Sequence, residues 1–207
     1  MKDVQKERRL NWCRAHENYN WDNVFFSDES SVWLFPNSVK IWTKDTVKPI
    51  YQRPKHSPKF HMWGAISTRG ATPLCIFTGN LTKERYVDIL NGHLLPTAQT
   101  LYENNWIFQH DNDPKHTARY TKQWLSDENV QVLDWPSYSP DLNPIENVWG
   151  VMKDRINQKG LRNIEDMKRE VVEYWDTLSH DFLQTLIGSV PRRIQSCIAE
   201  QGSLTKY

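Results

Sequence analysis

The spacing of apolar and polar residues changes period several times along the chain, and each change marks an element. "NVFFSDESSVWLF" (23–35) is rich in aromatic and β-branched residues and predicts two short strands meeting near Asp28 to Ser31. "HMWGAIS" and "PLCIFTG" predict two more strands, separated by "TRGAT". From Thr82 to Glu103 the period lengthens, with Tyr86, Ile89, Leu90 and Leu94 recurring at helical steps. Strand character returns from Trp106 to His110. Asp113 and Pro114 then supply an N-cap and a first-turn proline, opening a helix that runs to about Ser126. "VQVLDW" predicts a further strand and "PSYSPDL" a loop. The next helix begins at Pro144, with Ile145, Trp149, Met152 and Ile156 as its apolar stripe, and amphipathic helix continues to the C-terminus.

Strands first, then alternating helix and strand, then helices: this order is met by a mixed sheet with helices packed on it. The expected class is α/β, a ribonuclease-H-like fold with a five-stranded sheet flanked by helices. Residues 1–20 are polar and helical, more like the end of a linker than part of a core, and residues 21–207 form the domain. Within it, residues 36–60 carry Pro36, Pro49, Pro54 and Pro58 and predict an extended loop. There is no internal repeat and no low-complexity tract.

Composition narrows the function. The 207 residues include ten tryptophans and are 38% hydrophobic, which excludes a disordered chain. No apolar run approaches the roughly 18 residues of a membrane helix, and "MKDVQKERRL" lacks the apolar segment of a secretory signal. Cys13, Cys75 and Cys197 are scattered, which argues against a disulfide framework or a zinc site and fits a reducing compartment. The net charge of +1 is not that of a dedicated nucleic-acid binder. Its distribution says more. Lys40, Lys44, Lys48, Arg53, Lys55 and Lys59 face a single acid, Asp45, in one stretch that can track phosphates or simply lie solvated.

Three acids fall at element ends: Asp28, Asp111 and Glu146. Each has a structural reading of its own. Asp28 suits a turn in "SDESS", Asp111 an exposed loop, and Glu146 a capping box with Asn143 as N-cap. Strand parity does not separate Asp111 from Asp113. Should the three converge, their repulsion would raise at least one pKa, and hard divalent cations such as Mg²⁺ would relieve it. Two such ions, about 3.5–4 Å apart, serve in-line phosphoryl displacement. Among neighbours, Asn112 is a candidate to orient Asp111, and His116 to contact phosphate or a metal-bound water, or to lie on the helix surface. Arg192 and Arg193 are candidate DNA contacts, or solvated residues near a chain end. Trp63, Trp135 and Trp149 are expected in the core.

Asp111 and Glu146 are separated by 34 residues, inside "FQHDNDPKHTA" and "WPSYSPDLNPIENVW". Together with "FSDES", "YVDIL" and the ending "PRRIQSCIAEQGSLTKY", these words closely resemble the catalytic domain of the mariner superfamily of DDE transposases, in particular its Sleeping Beauty-like branch. The resemblance runs from about Arg8 to Tyr207, with the motifs in the family's order. It implies a ribonuclease-H-like domain in which Asp28, Asp111 and Glu146 hold two Mg²⁺ ions, with Mn²⁺ able to substitute. It further implies hydrolysis of DNA at transposon ends and joining of the freed 3′-hydroxyl to a target, typically at TA, in the nucleus. Residues 36–60 fall where relatives carry a loop that clasps a partner subunit, which implies a homodimer on DNA.

The chain departs from that pattern twice. The branch's glycine-rich tract before "WG" is absent from "HSPKFHMWG", and the family's N-terminal helix-turn-helix reader domains are missing. Weak or non-specific DNA binding and poor autonomous transposition are therefore expected. Two rival readings stay open: a domesticated or decayed copy acting as a non-catalytic DNA-binding or assembly module, and a retroviral-type integrase or ribonuclease H. The second lacks a His/Cys zinc pattern here.

Overall fold

The computed structural model describes residues 1–34 and 57–207. Its centre is β1 (Val24–Trp33), which pairs antiparallel with β2 (Lys59–Ser67) on one side and parallel with β5 (Ile107–Gln109) on the other. Two short strands, β3 (Gly70–Ala71) and β4 (Cys75–Phe77), both pair with β2 and complete a mixed five-stranded sheet. Lys40, Lys44, Lys48, Arg53 and Lys55, and most of the expected 36–60 clamp, lie outside the described residues.

Alternating side chains of β1 and β2 feed two cores. Phe26, Met62 and Ile66 face one helical layer, built from α6 (Ile145–Lys159), α7 (Ile164–Asp176), α8 (His180–Ile187) and α9 (Val190–Ala199). Phe25, Trp63 and Phe108 face the other. It holds α2 (Lys83–Ile89), a π-helical turn (Leu90–Leu94), α3 (Leu95–Tyr102) and α5 (Arg119–Asp127). The π turn sits just before Pro96, which has no N–H to continue an α ladder and crowds the carbonyl one turn back. The α6 stripe Ile145, Trp149, Met152 and Ile156 is buried throughout, as are Trp63 and Trp135.

Three sequence expectations are corrected. First, Val24–Trp33 is one continuous strand: Asp28, Glu29 and Ser30 pair with Gly64, Trp63 and Met62. The turn preference of "SDESS" is local, and the β2 ladder that runs through it outweighs it. Second, "VQVLDW" makes only a single parallel bridge, Phe108 to Val132, with Phe108 N donating to Gln131 O and Leu133 N to Phe108 O, both at 2.8 Å. Partner strand β5 is too short to template more. Third, the helix after Asp113 is broken: α4 (Pro114–Thr117) ends at an extended Ala118 before α5 begins.

The N-terminal segment is also more than a linker end. It forms α1 (Asp3–Ala15), packed on α9, with Trp12 and Cys13 in the core. Arg9 on this helix is fully buried. Its guanidinium donates Nη1 to Asp141 Oδ1 at 2.9 Å and Nη2 to Asp141 Oδ2 at 2.8 Å, a bidentate pair. It also donates to the carbonyls of Tyr138, Gly202 and Ser203. Asp141→Ala would strand the guanidinium without its counter-charge. Urea unfolding followed by circular dichroism is expected to show a loss of about 3–5 kcal/mol; a change under 1 kcal/mol would refute this role.

Candidate functional site: an acidic pocket at the sheet end

Strand register brings the first two acids together. Val24 pairs with Ile107 and Phe26 with Gln109. Carried on by two residues, the same register sets Asp28 opposite Asp111 on the same face of the sheet. The two strands are still joined at that point, because Ser27 N donates to Gln109 Oε1 at 3.1 Å and Ser27 Oγ to Gln109 O at 2.8 Å. The third acid arrives on the first turn of α6. Asn143 Nδ2 donates to Ser27 O at 3.1 Å, while its Oδ1 accepts from Ile145 N at 3.3 Å. One side chain thus starts the helix and ties that start to β1. Asp28, Asp111 and Glu146 line one cavity of about 480 Å³, with Asn112, Asp113, Asn143 and the 135–140 loop as its walls.

Pro144, not Asn143, occupies the N-cap position, so Glu146 stands one residue earlier in the helix than a capping box requires. The Asn143 amide donates instead to Pro140 O at 3.0 Å. Glu146 lines the same cavity as Asp28, close enough for the two carboxyls to shift each other's pKa. Burial, and then the charges of Glu146, Glu29 and Asp111, hold the Asp28 carboxyl well above the usual carboxylate range. Burial raises Glu146 too, offset in part by Lys153 and by Asp28.

Asp28 is oriented from its other side by an aromatic stack. Trp149 Nε1 donates to Asp28 Oδ2 at 3.2 Å, and Trp149 lies face to face with Trp175, ring centroids 5.2 Å apart. Trp175 fills the space over Gly64, the partner of Asp28 in the ladder: a Cβ added there would lie 2.5 Å from the indole ring.

Asp111 is treated oppositely. Burial would raise its pKa, but a 2.7 Å bond from His116 Nδ1 and a 3.0 Å bond from the Asp113 amide outweigh that and lower it to about 2. His116 Nε2 in turn donates to Glu29 Oε1 at 3.0 Å. The imidazole is buried, between Tyr86 and a parallel His110 ring 5.1 Å away. Burial alone would discharge it; the two carboxylates win and raise it to about 9. His110 is lowered to about 3, by burial first and then by the His116 charge. Lys115 bridges Glu29 and Asp113.

The remaining candidates divide. Asn112 lines the pocket, but its amide donates to Trp135 O and Ser137 Oγ, so it braces the loop and His116 orients Asp111. His116 is therefore neither a surface residue nor free for phosphate. Lys59 is exposed and lies 4.6 Å over the Trp33 ring, away from the acid pocket. Arg192 is exposed elsewhere. Arg193 is buried, donating to Asp141 O, Asn147 Oδ1 and Ser189 Oγ, and is not available to DNA. Sequence reasoning missed Glu29. The available signal was two opposite charge pairs, Asp28-Glu29 and Lys115-His116, each beside a candidate acid.

Three convergent carboxylates, one already forced toward protonation, are a donor set suited to hard divalent cations. Among the described residues no three such groups are yet close enough to chelate an ion. One Asp111 oxygen is engaged by His116, and ligation would use the other.

A helix–sheet–helix sandwich with one acid in the middle of its central strand, one just past the adjacent parallel strand and one on a late helix defines a ribonuclease-H-like fold. Residues 23–168 match the family of DDE superfamily endonucleases. The chain is 32% identical over 209 residues to the Tc1 transposase of Caenorhabditis elegans, covering 96% of this chain and 77% of that one. Its fold superimposes on the catalytic domain of the Mos1 transposase with raltegravir and Mg at a TM-score of 0.79, with 23% identity, covering 100% of this chain and 99% of that one. On the Mos1 mariner paired-end complex with Mn the TM-score is 0.81, at 23% identity; the chain is covered completely and spans 65% of that longer protein. The chain belongs to the DDE superfamily and is the catalytic region of a Tc1/mariner-type transposase.

Two outcomes follow from this geometry. In metal-free buffer, the raised pKa of His116 means its contribution to stability is complete below about pH 6.5 and is lost as pH rises through about 9. Histidine NMR titration should find one imidazole titrating near 9 and another, His110, neutral down to about 3; His116→Gln should flatten the alkaline loss of stability. Separately, Gly64→Ala must displace Trp175 and is expected to cost about 1–3 kcal/mol in urea unfolding. An unchanged midpoint would refute the contact.

Proposed function

We propose that this chain cleaves DNA phosphodiesters at transposon ends and joins the freed 3′-hydroxyl to target DNA at TA, using Asp28, Asp111 and Glu146. The observation that carries the proposal is the convergence of these three acids, from β1, the end of β5 and α6, on one cavity. Such a cluster destabilises the fold, and a metal-dependent phosphoryl-transfer site accounts for it. The same three carboxylates would hold two Mg²⁺ ions, or Mn²⁺, which supply Lewis-acid stabilisation of the attacking and leaving oxygens.

The chain's own residues prepare the site. His116 keeps Asp111 anionic and fixes its orientation. Trp149 and Asn143 fix Asp28 and the start of α6 relative to each other. Burial pushes Asp28 and Glu146 toward their protonated forms, and bound cations would favour the carboxylates instead. The proposed partners are transposon-end DNA, TA target DNA and a second copy of the chain, with residues 36–60 as the clasp, acting in the nucleus. The Mos1 paired-end complex supports this by likeness of fold.

The test is Mg²⁺-dependent nicking and strand transfer on oligonucleotides. Asp28→Ala, Asp111→Ala and Glu146→Ala should each lower the rate by about 1000-fold or more with the fold intact. Wild-type inactivity, or full activity in all three variants, would sink the proposal.

A further inference from the structure

The loop from Trp135 to Pro140 is one wall of the acid pocket, and its outermost side chain is Tyr138. At 66% exposure this is the most solvent-exposed large hydrophobic side chain among the described residues. Its backbone φ of 60° lies in the left-handed region, which a tyrosine adopts only when its surroundings impose it. The imposing group is identifiable. Arg9 Nη1, on a guanidinium with no exposed surface, donates to Tyr138 O at 2.8 Å. Asn112 ties down Trp135 O and Ser137 Oγ in the same loop. The fold thus holds an aromatic ring out in water, and no other ring or cation among the described residues packs on it.

Tyr138 also stands between two cavities. On one side is the acid pocket. On the other is a groove of about 720 Å³ that runs to α1, lined by Gln5, Arg8, Asn11 and His16. The α1 wall of the groove is thus polar and carries an exposed arginine, while its floor adds Trp12, Trp135 and Pro136, with Asp134 at its edge. It suits a phosphate-linked strand with one base laid on the ring.

We propose that Tyr138 is a stacking platform for an unpaired nucleobase of the strand whose phosphodiester lies in the acid pocket, with the adjoining backbone led past Arg8 along α1. The inference rests on the DNA-cleaving reading above and adds a base-binding site to it. Stacking of this kind tolerates any base, so Tyr138 selects for an unpaired nucleotide and not for a sequence.

The test uses a duplex with a single-stranded 3′ overhang whose first nucleotide is 2-aminopurine, titrated with protein in Ca²⁺ buffer. Wild type should bind and quench the fluorescence, since stacking on an aromatic ring quenches this base. Tyr138→Ala should weaken binding by roughly tenfold or more and abolish the quench, whereas Tyr138→Phe and Tyr138→Trp should keep both. Urea midpoints equal to wild type would show that the loop is intact. A Tyr138→Ala variant that quenches like wild type, a Tyr138→Phe variant that fails like Tyr138→Ala, or a wild type that does not quench would overturn the proposal. Mg²⁺ cleavage run in parallel separates the two claims. Wild-type inactivity refutes the transposase reading, and wild-type cleavage with unchanged Tyr138→Ala quenching refutes only the platform.

Discussion

The buried pair of Arg9 and Asp141 is the constraint on which the site's geometry depends. Withdrawing both charges from water is costly, and good geometry together with further hydrogen bonds offsets it. Here both are present: the pair is bidentate, and Asp141 Oδ2 also accepts from Thr205 N. Arg9 reaches Gly202 O and Ser203 O on the C-terminal segment, so one guanidinium joins α1, the 138–142 loop and the chain end. Gly202 allows this approach, because a Cβ there would lie 2.0 Å from Lys6 O. Arg193 then braces the same loop from α9 through Asp141 O, and the first turn of α6 through Asn147 Oδ1. The 3₁₀ turn Pro140–Leu142, which leads into Asn143 and the first turn of α6, is held by these two arginines.

The electrostatics of the pocket are asymmetric. Asp111 has a cationic partner and two hydrogen bonds, and is held firmly anionic. Asp28 has an indole N–H, a carboxylate opposite and little water, and is driven toward protonation. Opposed pKa shifts in adjacent acids are a mark of functional sites, because a fold selected for stability alone would pair or expose both. The charge that sets Asp111 comes from His116. That residue is itself charged because Asp111 and Glu29, the latter on the opposite parity of β1, share it. The strand that carries Asp28 on one face therefore governs Asp111 from the other.

Much of this was legible in the sequence wherever the cause is local. Asp113 caps α4, Thr82 caps α2, and the α6 stripe is buried, since caps and helical periodicity act over a few residues. The three acids were legible through the words around them. What was not legible depends on distant partners. Arg9 looked like one more cation in a polar leader, and Arg193 like half of a basic pair near the chain end; their acceptors lie on the 138–142 loop. "SDESS" kept its turn propensity on paper because nothing nearby announces the ladder to β2. "VQVLDW" looked like a strand because Leu133 and Trp135 are buried by alternation, yet the partner strand ends too soon to pair with it.

Glu146 shows how a local motif and a functional role share the same residues. "NPIEN" begins a helix, and Asn143 does serve that start through its bond to Ile145 N. Its amide nitrogen, however, is spent on Ser27 O, one residue before Asp28. An asparagine that bonds the first helical amide with its oxygen and the neighbouring strand with its nitrogen sets the helix start relative to the acid it must meet. Three residues beyond Glu146, one turn along the same helix, Trp149 closes the loop onto Asp28, and Trp175 and Gly64 hold that indole in place. The acids supply the charge, but neutral side chains decide the distance between them. For that reason the spacing of Asp111 and Glu146 in the sequence identifies the site, while its shape depends on an asparagine, two tryptophans and a glycine.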